Sequence, residues 1–154
     1  MARSQRHSRH QRVREAAASR YSPAPAPAEV AGILLDSDVI IDVLRGRPRV
    51  VSDLHAIETS GTPLYCTAIA IAEIFAGIRP GEEAVTEAFF HARGEVVIDA
   101  VTGRRAGAYL ARYARSHGVE IADALVAAAA STAGLRLWTL NRKHYPMEDV
   151  AFHD

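Results

Sequence analysis

Apolar positions along this chain come in short bursts separated by polar punctuation, and their spacing predicts alternating strands and helices. Ile33, Leu34 and Leu35 run into Asp36, Ser37 and Asp38, and an apolar pattern resumes at Val39, Ile40, Ile41, Val43 and Leu44. Such a run reads as a buried strand, a turn and the first helix of an α/β unit. Gly46 and Pro48 break that helix, and Val50, Val51, Leu54 and Ile57 share one face of a second over residues 50–59. A strand is predicted over 63–66, with Thr67 as N-cap of an apolar helix over 68–76. Further on the pattern predicts a helix over 82–93, a strand over 96–98 and a long arginine-rich helix over 100–116. A small-residue helix over 121–133 ends at Gly134; a fourth strand over 135–139 leads to a loop at Asn141 and a turn of helix before Pro146. Strands alternating with helices predict an α/β fold, a mostly parallel sheet of four or five strands flanked by helices.

Length and composition refine this picture in three ways. At 154 residues and 49% hydrophobic, the chain is expected to form one domain burying about two-thirds of its unfolded surface. Residues 1–29 lie outside that domain, because their Arg, Ser, Ala, His and Pro content has no apolar periodicity to offset the entropy of ordering. Residues 1–30 hold six arginines against Glu15 and Glu29, leaving twelve basic and sixteen acidic residues for the rest. A disordered basic arm over 1–29, followed by a domain over 30–154, is the expected organisation; the arm suits nucleic acid or is a plain extension. The single cysteine, Cys66, excludes an internal disulfide, fits a reducing cytoplasm and reads as a buried small hydrophobe. No run of eighteen apolar residues predicts a membrane span, and the basic N-terminus lacks the apolar core of a secretory signal.

Three carboxylates then stand out. Asp36 ends a strand, where open α/β sheets bind ligands. Glu73 has only Ile69, Ala70, Ala76 and Gly77 at helical neighbour positions, and Asp123 has Val126 and Ala127 ahead of it. Each has an ordinary reading: Asp36 or Ser37 as a helix cap, Glu73 at a helix edge, Asp123 favouring a helix dipole. Jointly they can converge at one sheet edge, where clustered carboxylates repel unless a hard cation sits among them. An oxygen-only set suits Mg²⁺ or Mn²⁺, which can activate water and clamp the leaving oxygen of a phosphodiester. Thr139 and Asn141 flank Leu140 at the end of the last strand; Asn141 is a neutral oxygen ligand, a water holder or the cap of the next turn.

With these residues in view, the chain resembles PIN-domain ribonucleases, specifically VapC-type toxins of toxin-antitoxin pairs. The matching segments are 34–44, 67–77, 121–130 and 139–145, with Gly46 after the first helix, in the family's order from residue 33 to about 150. The resemblance implies a three-layer PIN-like fold, a Mg²⁺ or Mn²⁺ site and endonucleolytic RNA cleavage leaving a 5′-phosphate and a 3′-hydroxyl. It carries over Asp36, Glu73 and Asp123 as metal-binding acids and places Asn141 where many relatives have a fourth acid. Ser37, Asp38 and Thr139 fall around the site, Asp38 where asparagine is usual. Homodimerisation and a cognate antitoxin are implied as well.

Two rival readings remain at this level. Asp36-Ser-Asp38 also looks like the start of a haloacid-dehalogenase-type phosphatase, whose chemistry needs a downstream lysine followed by an acidic pair. The only lysine is Lys143, eleven residues from the end. The other rival, kept open by Asn141, is a PIN fold that binds RNA or a partner without cutting.

Overall fold

The computed structural model of the chain describes residues 32–154, so the arm expected over 1–29 and its boundary lie outside the described residues. Four parallel strands form one sheet in the order β3-β2-β1-β4. They are β1 (Ile33–Leu35), β2 (Leu64–Thr67), β3 (Gly94–Val96) and β4 (Arg136–Trp138). Phe152 adds a bridge parallel to Leu137, the trace of a fifth strand. Helices α1 (Ser37–Leu44) and α2 (Pro48–Thr59) follow β1, and α3 (Ala68–Ala76) and α4 (Glu83–His91) flank the link from β2 to β3. α5 (Ala100–His117) and α6 (Ile121–Ala133) then lead to β4, and a 3₁₀ turn spans Arg142–His144. The predicted mostly parallel α/β fold is the observed one.

Alternation along β1 creates two cores. Leu34 faces a cluster with Leu137, Tyr109, Tyr113 and the alanines of α6, whereas Ile33 and Leu35 face Val39, Ile40, Leu54, Ile74 and Trp138. Ala127, Ala128, Ala129 and Ala130 are completely buried, so α6 owes its place to side chains small enough for close approach rather than to an amphipathic stripe. Among the described residues no helix is long and apolar enough to cross a membrane.

The expected elements fall within a residue or two of the observed ones, and β3 shows what causes such a shift. The sequence pattern assigned Val96, Val97 and Ile98 to the strand, yet pairing runs Tyr65 to Gly94, Cys66 to Glu95 and Thr67 to Val96, and Val97 is 70% exposed. A Cβ on Gly94 would lie 2.5 Å from the Tyr65 ring, so the edge strand is positioned by a close backbone approach that hydrophobicity does not encode. Cys66 is buried as expected, and burial pushes its thiol up to about 12.

Because all four strands run the same way, their carboxyl ends share one edge. Asp36 follows β1, Thr67 caps α3 at the end of β2 by accepting from the Ala70 N–H at 3.2 Å, and Thr139 follows β4.

Candidate active site

Asp36 sits where β1 turns into α1, held by its own N–H to the Trp138 carbonyl at 3.0 Å. It is the N-cap of α1: Oδ1 accepts from the Ser37 N–H at 2.8 Å, and Oδ2 accepts from the Tyr145 hydroxyl at 2.7 Å. The cap reading and the site reading of Asp36 are thus compatible, since a 9% exposed carboxylate still reaches the cavity at this edge.

That cavity, about 270 Å³, is lined by Asp36, Ser37, Asp38, Glu73, Asp123 and Asn141, together with His144 and Tyr145. Residues predicted from four separate segments are therefore brought to one place. Asp123 approaches from the first turn of α6, where Oδ2 accepts from the Glu120 N–H at 3.2 Å in a reciprocal capping box. Its Oδ1 lies 3.8 Å from Nδ1 of His144. Burial raises the Asp123 carboxyl; the Glu120 N–H and His144 oppose this, and the charge of Asp36 adds to it.

Glu73 is exposed, in keeping with a place at a helix edge, and among the apolar residues of α3 only Ala70 and Ile74 are buried. An apolar sequence neighbourhood is not an apolar surrounding. Glu73 reaches the cavity from its open side.

Both Asp38 carboxylate oxygens are hydrogen-bonded. Oδ1 accepts from the Val39 N–H at 2.7 Å, while Oδ2 accepts from the Leu140 N–H at 3.0 Å and the Thr139 hydroxyl at 3.2 Å. Asp38 thereby ties α1 to the loop after β4. Burial, then the charge of Asp36, raises its carboxyl above the ordinary aspartate value. Thr139 Oγ1 also accepts from the Asn141 N–H at 3.1 Å. Asn141 makes no side-chain cap bond to the 3₁₀ turn; its Nδ2 lies 3.0 Å from Nε2 of His144.

Sequence reasoning missed Tyr145. Its hydroxyl is raised by burial first and by the charge of Asp36 next, so it remains a protonated donor to that carboxylate. The available signal was a tyrosine at the end of a motif segment, whose hydroxyl must find a partner if the ring is buried.

The residues fit a hard cation by their chemistry: oxygen donors, repulsion of Asp36 on both Asp38 and Asp123, and open volume beside them. They do not form a closed cage. Among the described residues no group of three or more His, Cys, Asp or Glu side chains is drawn together tightly enough to hold an ion.

Parallel strands with an acidic cavity at their carboxyl edge define the class, and comparison with known proteins agrees. The PIN domain family model matches residues 33–152, and the chain belongs to that family. Within it the similarity runs to the VapC group. The chain is 33% identical over 115 residues to Ribonuclease VapC19 of Mycobacterium tuberculosis, covering 74% of this chain and 92% of that protein. It is 36% identical over 116 residues to Ribonuclease VapC10 of the same organism, covering 75% and 86%. Among solved structures, DNA-bound VapBC from Salmonella typhimurium superposes with a TM-score of 0.69 at 21% identity over 81% of this chain and 98% of that one, a likeness of fold. FitAcB from Neisseria gonorrhoeae superposes with a TM-score of 0.60 at 29% identity, covering 79% and 96%.

Proposed function

We propose that the chain is a Mg²⁺- or Mn²⁺-dependent endoribonuclease acting as the toxin of a toxin-antitoxin pair. The observation that carries this reading is the meeting of Asp36, Glu73, Asp123 and Asn141, from four segments, around one cavity. Asp36, Glu73 and Asp123 would hold the ion. When bound, it would supply Lewis-acid activation of water and charge for the leaving oxygen. The chain's own work is positioning: Tyr145 and the Ser37 N–H orient Asp36, the Glu120 N–H orients Asp123, and Asp38 with Thr139 keeps the loop bearing Asn141 against α1. Residues 30–154 form the nuclease domain in this reading. The likeness to a VapBC structure supports a cognate antitoxin as partner; a homodimer and a cytoplasmic setting complete the proposal.

Incubating the purified protein with RNA should give cleavage that requires Mg²⁺ or Mn²⁺ and disappears in Asp123→Asn. Absence of metal-dependent cleavage across total RNA would overturn it. A second reading, a PIN fold that binds without cutting, is favoured by the open arrangement of the acids and by Asn141. Metal titration separates the two: the binding module predicts no rise in Tm with Mn²⁺, the nuclease a rise that grows with concentration.

A further inference from the structure

A second, larger cavity lies on the other side of the Asp38–Thr139–Leu140 contact. This groove, about 980 Å³, runs between α2 and the β4 edge, and Thr139 and Leu140 belong to its wall. Unlike the acidic cavity, it is lined by more guanidinium groups than carboxylates. Arg47, Arg49, Arg136 and Arg142 line it with His153, against Asp42, Asp53 and Asp154.

Those acids offset the positive charge only in part, three carboxylates against four guanidinium groups. Asp42 is 4.0 Å from Arg47, at the limit of an ion pair, and Asp154, which meets Arg142 at 2.9 Å, is 99% exposed and easily displaced. Arg49 is exposed and makes no ion pair among the described residues. On the groove floor, Nε of Arg136 and Nδ1 of His153 are buried without a hydrogen-bond partner. Burial, then the charge of Arg136, holds the His153 pKa down; Asp154 and Asp53 oppose this, and Arg142 adds to it. Buried polar atoms without partners are uncommon, and here they lie beside guanidinium groups suited to phosphate oxygens.

We propose that this groove carries the sugar-phosphate backbone of single-stranded RNA, with Arg47, Arg49, Arg136 and Arg142 taking phosphates that flank the one held at the acidic cavity. The inference rests on the ribonuclease reading for the polarity of the path, though not for the binding itself. Thr139 and Leu140 of the groove bond Asp38 of the acidic cavity, so a chain crossing this contact passes from cations to the acidic site. Contacts of this kind set register rather than sequence.

The test uses full-length Asp123→Asn protein, which binds without cutting, and a labelled single-stranded RNA of about 15 nucleotides. Adding Arg47→Glu and Arg49→Glu, both on the exposed start of α2, should weaken binding at least about tenfold and flatten the salt dependence by roughly 1.4 in log–log slope. Equal charge reversal at Arg104 and Arg115 on α5 should change neither by as much. Thermal melts confirm that the variants fold. Unchanged affinity and slope would overturn the groove and leave it to an acidic polypeptide; an equal loss in the α5 control would overturn it as mere bulk charge. The two readings fail separately. A parent protein that binds RNA through the groove but never cuts defeats only the nuclease, and one that cuts normally with both groove arginines reversed defeats only the groove.

Discussion

Two polar clusters interrupt the apolar layers of this domain, and they are built on opposite principles. Between α5 and α6, the buried Arg105 donates to the Ser131 hydroxyl, and Ser131 and Tyr109 both donate to Oδ2 of Asp149, at 3.1 and 2.7 Å. The Ser131 hydroxyl links a positive charge to a negative one, and both hydroxyls are used. At the carboxyl edge of the sheet, Asp36, Asp38, Glu73 and Asp123 gather around one cavity, and the facing basic side chain is His144, 3.8 Å from Asp123. The first cluster is closed and holds the fold; the second is left with surplus negative charge. Satisfied networks stabilise, whereas uncompensated charge costs stability until a counter-charge arrives, so surplus charge is a mark of function.

The sharpest way to break this contrast is to remove one charge from each cluster. Asp36→Asn keeps the shape and a good helix cap, and should lower RNA cleavage by about a thousandfold, equivalent to roughly 4 kcal/mol of barrier. Its stability should change by no more than about 1 kcal/mol, because one weakened hydrogen bond is offset by relief of repulsion on Asp38 and Asp123. Arg105→Met should do the reverse. Losing the buried guanidinium should destabilise by about 2 kcal/mol, read as a Tm drop of roughly 4–8 °C, with cleavage per folded molecule unchanged. If Asp36→Asn melts like Arg105→Met, the acidic cluster is structural.

Much of this contrast is legible in the sequence, but unevenly. Asp36, Glu73 and Asp123 stand out because no basic residue lies at their helical neighbour positions, and parallel β-strand topology brings them to one edge. Their bonding does not stand out. Asp38 looks like one more acid beside Asp36, yet its oxygens accept from Val39, Thr139 and Leu140, the last two more than a hundred residues away. Register between α1 and the loop after β4 decides this, and no local pattern carries it. The exposure of Glu73 is not legible either: burial depends on what packs over α3, which its own apolar sequence does not reveal. Arg105 is hidden for the same reason. It reads as one arginine in an exposed run, but its position places it over Ser131 on α6.

A smaller effect is expected at Tyr145, where the acidic cluster borrows a device from the closed one. Tyr145→Phe removes the 2.7 Å bond to Asp36 and keeps the ring in its buried place. The stability cost should be about 1 kcal/mol. If the hydroxyl orients Asp36 for a cation, the Mn²⁺ concentration giving half-maximal cleavage should rise about tenfold, with the rate at saturating Mn²⁺ largely recovered. An equal loss at all Mn²⁺ concentrations would make Tyr145 a packing residue only.

The smallest effect tests the surplus charge itself. Burial raises the Asp38 and Asp123 carboxyls above 3.8, with Asp36 adding to both. A carboxyl whose folded pKa exceeds its unfolded one binds more protons in the folded state, so its contribution favours folding at low pH and is lost as pH rises through the raised value. In Asp123→Asn one such group no longer titrates. In EDTA, therefore, the Tm of Asp123→Asn relative to the parent should climb as pH rises from about 4, the window set by those upward shifts. Saturating Mn²⁺ should close or reverse the gap, because only the parent gains a stabilising ligand. A gap independent of pH would mean that solvent already screens the acids, and the distinction between a cluster that holds the fold and one that awaits a cation would fail.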